Sequence, residues 1–520
     1  MIQVAQIIFI LSVLVILHEF GHYIAAKIFK VRVEKFYLFM DAGFSLLKKK
    51  IGDTEWGIGW LPIGGYVKLS GMIDESMDTE QMKQPAQPWE FRSKPAWQRL
   101  IIMLGGIIVN IILAITIYTI MFSTIGQKYT SLEKVQKDGL AYGDVGQKVG
   151  FKNGDKIVSV DGEVIPDLKY AVMGVLFGDN VQVEREGKIV NLHLTDSQKG
   201  EIIRKEGKSF IQARINLDEI FIDSITNPKL TALKRFDKIV GVDTVKYNYY
   251  DEVLSESKLH KNNFINLLIN RDGKDIGIKV KTDSLGSFTG NNVFVSQNYK
   301  LSNLTIKESK NNDSLKSGDV ILSANGKISN IDFKKQLEEN KGKTISMKVS
   351  RDNQTIDVVS KVNAAGKLGI QFDNSKLNEY TVVNKMSFGK AITEAVHQSW
   401  SQIIYNINSF KLILRPATGA YTQVKSPIGI ARMLPDEWNW EFIWSFTALF
   451  SIGLAFMNLL PIPGLDGGHA LFTIVEMITG KTLNEKTAGY VQTFGMIILL
   501  SLMALTFGKD IYQLVVDKLL

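Results

Sequence analysis

The residues best suited to chemistry lie near the start of the chain, in the sequence His-Glu-Phe-Gly-His. His18 and His22 are four residues apart, so a helix would place both imidazoles on one face, at the spacing of metal ligands. Glu19 would lie near the same face, where a carboxylate can take a proton from a water molecule beside the metal. An ionisable cluster in an apolar helix is costly unless it is paired, hydrated or metal-bound, so the motif predicts a catalytic metal site.

A third ligand is expected much later in the chain. Hydrolytic zinc sites use three protein ligands and keep one position open, so the two histidines need one partner. The sequence from Asn458 to Gly468 ends an apolar segment with Pro461 and Pro463 and then presents Asp466 on a glycine-rich turn. Because the chain contains no cysteine, a metal must be held by histidines and carboxylates. We therefore predict that His18, His22 and Asp466 bind Zn²⁺ and that Glu19 is the catalytic acid and base.

Other polar residues near these motifs are assigned weaker roles. His469 could be a ligand, but the His-His-Asp set is complete without it, so packing beside the site is favoured. Asn458 either makes an interhelical hydrogen bond or donates to the substrate or a developing oxyanion near the metal. The remaining histidines have no partner at ligand spacing and are predicted to be ordinary: His193, His260 and His397.

Four charge-free stretches are close to the length that crosses a bilayer. A spanning helix needs about 20 predominantly apolar residues, and residues 1–17, 100–125, 442–463 and 487–507 approach this length. They predict a multi-pass α-helical membrane protein with about four transmembrane helices. The first stretch has neither a basic start nor a small-residue cleavage site, so we expect it to be retained rather than removed as a signal peptide.

Charge predicts the orientation in the membrane. The loop between the first two apolar stretches is rich in Lys and Arg, which is typical of the cytoplasmic side. By alternation, the long polar region from about 126 to 439 is expected outside the cytoplasm. The net charge of +8 then mostly reports topology, and the sequence does not indicate a nucleic-acid partner.

The polar middle contains a repeat. Asp155, Asp237 and Asp319 follow one another at equal steps of 82 residues, within similar sequences such as NGDKIVSVDG and SGDVILSANG. Each is followed by a hairpin pattern that turns at Arg185-Glu186-Gly187, Arg271-Asp272-Gly273 or Arg351-Asp352-Asn353. We expect three small β-rich modules, of which the middle one is degenerate because it lacks the two glycines.

HEFGH together with NLLPIPGLDGG resembles the site-2 protease family of intramembrane zinc metalloproteases, and the first and third repeats resemble PDZ domains. The resemblance implies cleavage inside transmembrane segments of single-span membrane proteins whose outer domain has been removed, such as anti-sigma factors or remnant signal peptides. It also implies the bacterial inner membrane, with the PDZ-like repeats outside the cytoplasm. The sequence WLPIGGYVKLSGM resembles a re-entrant β-element that presents substrate as an added strand, which makes Gly64, Gly65, Tyr66 and Val67 candidate substrate contacts.

The PDZ-like repeats leave alternatives open. They could bind an extended peptide at a sheet edge, exclude bulky outer domains, or serve as spacers. A different class of function is a membrane-tethered PDZ scaffold that presents envelope proteins without cleaving them. A metal-dependent transporter is disfavoured, because the second and fourth apolar segments carry few polar groups.

The predicted organisation in chain order is a first span (1–26), a cytoplasmic or membrane-associated loop with the β-element (27–96), a second span (97–125), three repeats (126–200, 201–290, 291–375), an amphipathic membrane-surface segment (376–439), a third span (440–463), the loop with Asp466 (464–486), a fourth span (487–508) and a tail (509–520).

Overall fold

The structure is a computed structural model that describes residues 2–72, 85–205, 210–226, 232–289, 293–310, 312–373, 380–481 and 485–519. The chain forms two compact units. Met1–Lys128 and Val383–Leu520 make the first, and Tyr129–Val382 makes the second. Residues 73–84 of the predicted cytoplasmic loop lie outside the described residues.

The described helices are α1 (Ile2–Ile28), α2 (Ala96–Thr124), α3 (Leu132–Val135), α4 (Asp144–Lys148), α5 (Leu168–Phe177), α6 (Asp196–Lys205), α7 (Tyr250–Lys258), α8 (Asn330–Glu339), α9 (Phe388–Ile413), α10 (Pro427–Ala431), α11 (Trp440–Leu459), α12 (Asp466–Thr479) and α13 (Glu485–Leu519).

The described strands are β1 (Val33–Ile51), β2 (Thr54–Leu69), β3 (Gln127–Thr130), β4 (Leu140–Tyr142), β5 (Lys156–Val160), β6 (Asn180–Arg185), β7 (Lys188–His193), β8 (Ile211–Ala213), β9 (Ile220–Ile225), β10 (Lys238–Val242), β11 (Val245–Lys246), β12 (Phe264–Arg271), β13 (Lys274–Lys281), β14 (Val293–Gln297), β15 (Thr305–Ser309), β16 (Val320–Ala324), β17 (Thr344–Arg351), β18 (Gln354–Lys361), β19 (Ile370–Asp373) and β20 (Thr381–Asn384).

Four of the described helices are long and apolar enough to cross a membrane. They are α1, α2, α11 and the part of α13 from Gly489 to Gln513. Together with the β-sheets they fit a membrane protein with β-rich domains. The helix of the third span is shorter than the predicted range 440–463. It ends at Leu459, shortly before Pro461 and Pro463, because proline cannot continue a regular helix.

Helices α1 and α11 run side by side in the same direction. The ring centroid of Phe9 lies 6.0, 5.9 and 6.2 Å from those of Trp438, Trp440 and Trp444. Aromatic clusters of this kind are typical of the membrane–water interface. Farther along both helices, Nδ2 of Asn458 lies 3.0 Å from Nε2 of His18. The two helices therefore reach the same depth of the unit with their later residues.

Glycines allow α1 and α2 to touch through their backbones. A Cβ added at Gly21 would lie 2.3 Å from the Gly105 carbonyl oxygen, and one added at Gly105 would lie 2.6 Å from the Gly21 carbonyl oxygen. Small residues permit such close approach between helices in membranes. The contact fixes α2 directly behind the histidine face of α1.

Strands β1 and β2 bend so that they form a four-segment antiparallel sheet. Tyr37 faces both Gly57 and Tyr66, while Leu47 faces Ile58. The order of the segments is therefore 45–51, 54–59, 33–38 and 65–69. A side chain at position 57 would collide with the Tyr37 ring, which explains the glycine there. Within the described residues, segment 65–69 is one edge of this sheet.

The second unit repeats one strand plan three times. The middle and third copies have sheets in the order β13-β12-β10-β9-β14 and β18-β17-β16-β15-β19. In the first copy the corresponding strands form the sheet β5-β6-β7 and the pair β4-β8. The closing strands β8 and β14 lie beyond the predicted boundaries at residues 200 and 290. The predicted boundaries are based on the hairpin patterns, which end before these strands. A closing strand pairs with a strand about 70 residues earlier in the chain, so its neighbouring sequence does not show where it pairs.

One buried ion pair recurs in all three copies. The aspartates at steps of 82 residues are 1%, 2% and 1% exposed, and each accepts two hydrogen bonds of 2.6–2.8 Å from the arginine that precedes a hairpin turn. The pairs are Asp155–Arg185, Asp237–Arg271 and Asp319–Arg351. The middle copy keeps this fork and the strand plan although it lacks the glycines. The identity of the modules as PDZ domains stays a prediction.

Candidate active site

Helix α1 places the two histidines of the His-Glu-Phe-Gly-His motif on one buried face. His18 and His22 are 7% and 6% exposed, and their Nε2 atoms are 3.3 Å apart. The i, i+4 spacing brings them together as expected for one helical turn. Both rings therefore direct the same nitrogen toward a common point.

Asp466 reaches that point from a tight turn. Helix α11 ends at Leu459, and α12 begins at Asp466 after a turn that contains two prolines. A side chain at Gly467 would lie 2.3 Å from the Leu460 carbonyl oxygen, and one at Gly468 would lie 2.6 Å from that of Ile462. The glycines thus let the turn fold back on itself and hold the carboxylate at the first residue of α12.

The three donor atoms form a small triangle. Oδ2 of Asp466 lies 3.2 Å from Nε2 of His18 and 3.3 Å from Nε2 of His22, and the two nitrogens are 3.3 Å apart. In a tetrahedral zinc site with bonds of about 2.0–2.1 Å, neighbouring ligand atoms are about 3.3–3.4 Å apart. The triangle therefore has the dimensions of one face of such a site.

The donors also have the right chemical character for a cation. Within the described residues, His18, His22 and Asp466 are the histidine and carboxylate set close enough to hold a metal ion. Oδ2 of Asp466 is buried and receives no hydrogen bond among the described residues. An orphan anionic oxygen beside two imidazole nitrogens is costly unless a cation compensates it. The residues present fit Zn²⁺.

A hydrogen bond at Nδ1 of His22 fixes the tautomer of its ring. Nδ1 lies 2.8 Å from the Ile102 carbonyl oxygen, which can only accept a hydrogen bond. His22 therefore carries its proton on Nδ1 and presents the Nε2 lone pair to the triangle. Partners of this kind orient histidine ligands and raise their basicity.

Helix α2 forms the wall behind the two rings. A Cβ added at Gly106 would lie 2.5 Å from His18 Cε1, 2.5 Å from His22 Nε2 and 2.6 Å from His18 Nδ1. Gly106 and Asn110 are four residues apart on α2, a spacing that places them on one helix face but does not by itself show that this face is turned toward the histidines.

Glu19 lies between the triangle and the β-sheet. Its carboxylate accepts a hydrogen bond from the backbone N–H of Val67 on the sheet edge. Its Cγ also comes within 3.6 Å of the point where a Cβ on Gly65 would sit. The position places a carboxylate next to the metal ligands and beside the edge segment 65–69 of the sheet.

The predicted substrate contacts fall into two places around the triangle. Nδ2 of Asn458 lies 3.0 Å from Nε2 of His18, so its amide reaches the donor atoms themselves. Gly65, Tyr66 and Val67 lie on the sheet edge beside α1, and Gly64 precedes them with a φ of +77° that favours glycine.

The other histidines do not join the site. His469 follows Asp466 on α12 but is not one of the three clustered donors. His260 and His397 lie near glutamates of their own helical segments, and His193 lies near Asn180.

Comparison with known proteins identifies the family. The profile of peptidase family M50 matches residues 6–502. The chain is 25% identical over 526 residues to a protein of Neisseria meningitidis whose name gives it as a zinc metalloprotease, with 98% of each chain covered. It is 25% identical over 525 residues to the regulator of sigma-E protease RseP of Escherichia coli, covering 98% of this chain and 99% of the relative. The regulator of sigma E protease of Haemophilus influenzae is 24% identical over 526 residues, with 98% and 99% covered.

These similarities extend over both units, and the donor triangle supplies the histidine and carboxylate chemistry that a zinc-dependent peptidase requires. The chain therefore belongs to peptidase family M50, the site-2 protease family, and is a zinc metalloprotease.

Proposed function

We propose that this protein cleaves peptide bonds within transmembrane segments, using His18, His22 and Asp466 to hold Zn²⁺ and Glu19 to transfer protons. One observation carries the proposal. The donor triangle lies between helices long enough to span a membrane and next to segment 65–69, which is an edge of the β1–β2 sheet within the described residues. A site built this way can receive an unwound polypeptide at membrane depth.

The side chains divide the reaction between them. When bound, Zn²⁺ supplies a Lewis acid that polarises the scissile carbonyl and activates water. Glu19 accepts the proton of the attacking water and returns it to the departing amine. Asn458 donates its amide N–H groups toward the oxygen on which negative charge develops. The Ile102 carbonyl oxygen holds the His22 ring in the correct tautomer.

The substrate must be extended before it can react, because a transmembrane helix hides its amides in internal hydrogen bonds. Segment 65–69 offers an edge that can pair with such a strand. The N–H of Val67 faces Glu19, so this edge is directed at the catalytic carboxylate. A substrate added along the edge would run past the metal ligands.

We assign the catalytic end of α1 to the cytoplasmic side of a bacterial inner membrane. The basic loop that follows α1 supports this orientation. The same assignment places Tyr129–Val382 outside the cytoplasm, where its three modules would recognise peptides as PDZ domains do or exclude large outer domains. The substrates on this view are single-span proteins with trimmed outer domains, such as anti-sigma factors or remnant signal peptides.

A matched pair of test substrates examines the proposal. One single-span protein keeps its outer domain, and the other begins a few residues outside the span. In vesicles, the wild-type protein should cut only the short one, inside its apolar segment. The Glu19→Gln variant should bind zinc normally and retain the short substrate uncut.

Unchanged turnover by Glu19→Gln would remove Glu19 from its role. Cleavage outside the apolar segment would contradict intramembrane proteolysis while leaving the metalloprotease assignment intact. Equal cleavage of both substrates would contradict recognition or exclusion by the outer unit.

A further inference from the structure

Asn110 is buried in the helix that backs the metal site. It is 0% exposed, and it lies on α2 four residues after Gly106, on the side that faces α1. Its backbone carbonyl oxygen accepts a hydrogen bond of 2.7 Å from Ser451 Oγ on α11. The residue is therefore held between the helices that carry the histidines and Asn458.

The side-chain amide of Asn110 meets the histidine ring at the nitrogen that does not face the triangle. Nδ1 of His18 lies 3.1 Å from Nδ2 of Asn110. Nε2 of the same ring faces Asp466 and His22. The Asn110 amide is thus placed to determine which of the two ring nitrogens of His18 carries the proton.

The other atom of the amide has no partner. Oδ1 of Asn110 is buried and receives no hydrogen bond among the described residues. Rotation of the amide by 180° exchanges Oδ1 and Nδ2. Oδ1 then faces His18 Nδ1 at hydrogen-bonding distance and can accept its proton.

The two orientations have opposite consequences for metal binding. If Nδ2 donates to Nδ1, the His18 proton must sit on Nε2, which then has no lone pair for a metal. If Oδ1 accepts from Nδ1–H, the Nε2 lone pair faces the triangle, as in His22. Only the second orientation is compatible with His18 as a ligand.

We infer that Asn110 is a positioning residue that accepts a hydrogen bond from His18 Nδ1–H through its side-chain oxygen and so fixes the ring as a zinc ligand. The inference rests on the proposed ligand set. It gives the two histidines equivalent supports, a side-chain carbonyl for His18 and the backbone carbonyl of Ile102 for His22. Outer partners of this kind typically change metal affinity by about 10–100-fold when removed.

Three variants of the full-length protein test this inference through zinc affinity, measured by competition with a chelator. Asn110→Leu keeps the approximate shape and removes the acceptor, and we expect zinc to bind about 10–100-fold more weakly. Asn110→Asp keeps an acceptor and removes the donor, and we expect zinc affinity at or above that of the wild type. Ser451→Ala removes the support at the Asn110 backbone and leaves the amide, so its affinity should stay near that of the wild type.

Wild-type affinity in Asn110→Leu would overturn the inference. A large loss in Asn110→Asp would also overturn it, because an acceptor alone would then not suffice. Asn110→Asp decides the question by itself if thermal melting shows that Asn110→Leu does not fold. Full zinc binding by His18→Ala would instead refute the ligand set, which separates failure of the proposed function from failure of this inference.

Discussion

A methyl group at Gly106 should disable the metal site without adding or removing any polar group. In Gly106→Ala the new Cβ would lie 2.5–2.6 Å from three atoms of the His18 and His22 rings. Nonbonded carbon atoms prefer about 3.5–4.0 Å. The difference between 2.5–2.6 Å and the preferred distance means that either α2 or the rings must move by about 1 Å.

The rings cannot turn away freely. His22 would lose its hydrogen bond to the Ile102 carbonyl oxygen, and His18 would lose its contact with Asn110. Metal–ligand distances tolerate about 0.2 Å, and a misplacement of about 1 Å can cost about 100-fold in rate. We expect zinc affinity and the rate of cleavage each to fall by about 100-fold or more, because both depend on the same three atoms.

Gly453→Ala provides the matched control. Gly453 also lies within a candidate span, and no atom lies within 4 Å of its added Cβ. The assays are chelator competition for zinc and cleavage of a fluorescent single-span peptide in vesicles. Gly453→Ala should match the wild type in both. Wild-type zinc affinity in Gly106→Ala would refute the packing described for α1 and α2.

Three further perturbations have defined outcomes. The ion pair Arg99–Glu476 joins α2 to α12, and Arg99→Glu or Glu476→Arg alone should each lower the free energy of unfolding by about 2 kcal/mol. The double variant with both changes exchanges the charges and should recover much of that loss. No recovery would mean that the pair does not hold α12. Val67→Pro removes the backbone N–H that donates to Glu19 and should lower kcat/KM by roughly tenfold. Val67→Ala keeps that N–H and should not lower it, and equal effects of the two changes would mean that this N–H does not support Glu19. Burial alone would raise the pKa of Asp319, but hydrogen bonds from Arg351 and a backbone N–H hold its pKa below the ordinary value. The third module should therefore lose stability as pH falls below about 3.9. The loss is measured as smaller hydrogen-exchange protection factors, each calculated from the intrinsic exchange rate at the same pH, and Arg351→Met should abolish that acid-dependent part.

The sign of the pH effect on stability follows from the lowered pKa of Asp319. A carboxyl with a depressed folded pKa stabilises the fold above its unfolded pKa and loses that contribution as pH falls through the folded pKa. Protection factors in β17 that do not change between neutral and acid pH would contradict it.

Residue types and spacing are sufficient to identify the three side chains whose donor atoms form the triangle. His18 and His22 follow from helical periodicity, and Asp466 follows from the proline and glycine signals around it. The spans follow from missing charge over a bilayer's thickness, although α11 ends at Leu459 rather than at residue 463. These features are local, or depend on ligand chemistry that allows few alternatives.

Features set by contacts between distant segments could not be predicted in the same way. The wall at Gly106 exists because Gly21 and Gly105 let two helices touch, and neither segment alone shows its partner. The closing strands β8 and β14 pair across long stretches, so hairpin patterns placed the module boundaries too early. The pairing of segments 33–38 and 54–59 likewise depends on Gly57, which lies against the Tyr37 ring.

X-ray absorption at the zinc edge of the purified, active protein tests the shared metal site most directly, combined with zinc content of the variants His18→Ala, His22→Ala and Asp466→Ala. We predict one zinc per chain, with two imidazole nitrogens and oxygen ligands at about 2.0–2.2 Å, and loss of that zinc in each variant. A spectrum without two imidazoles, or variants that keep the metal at full occupancy, would contradict a site built from these three side chains.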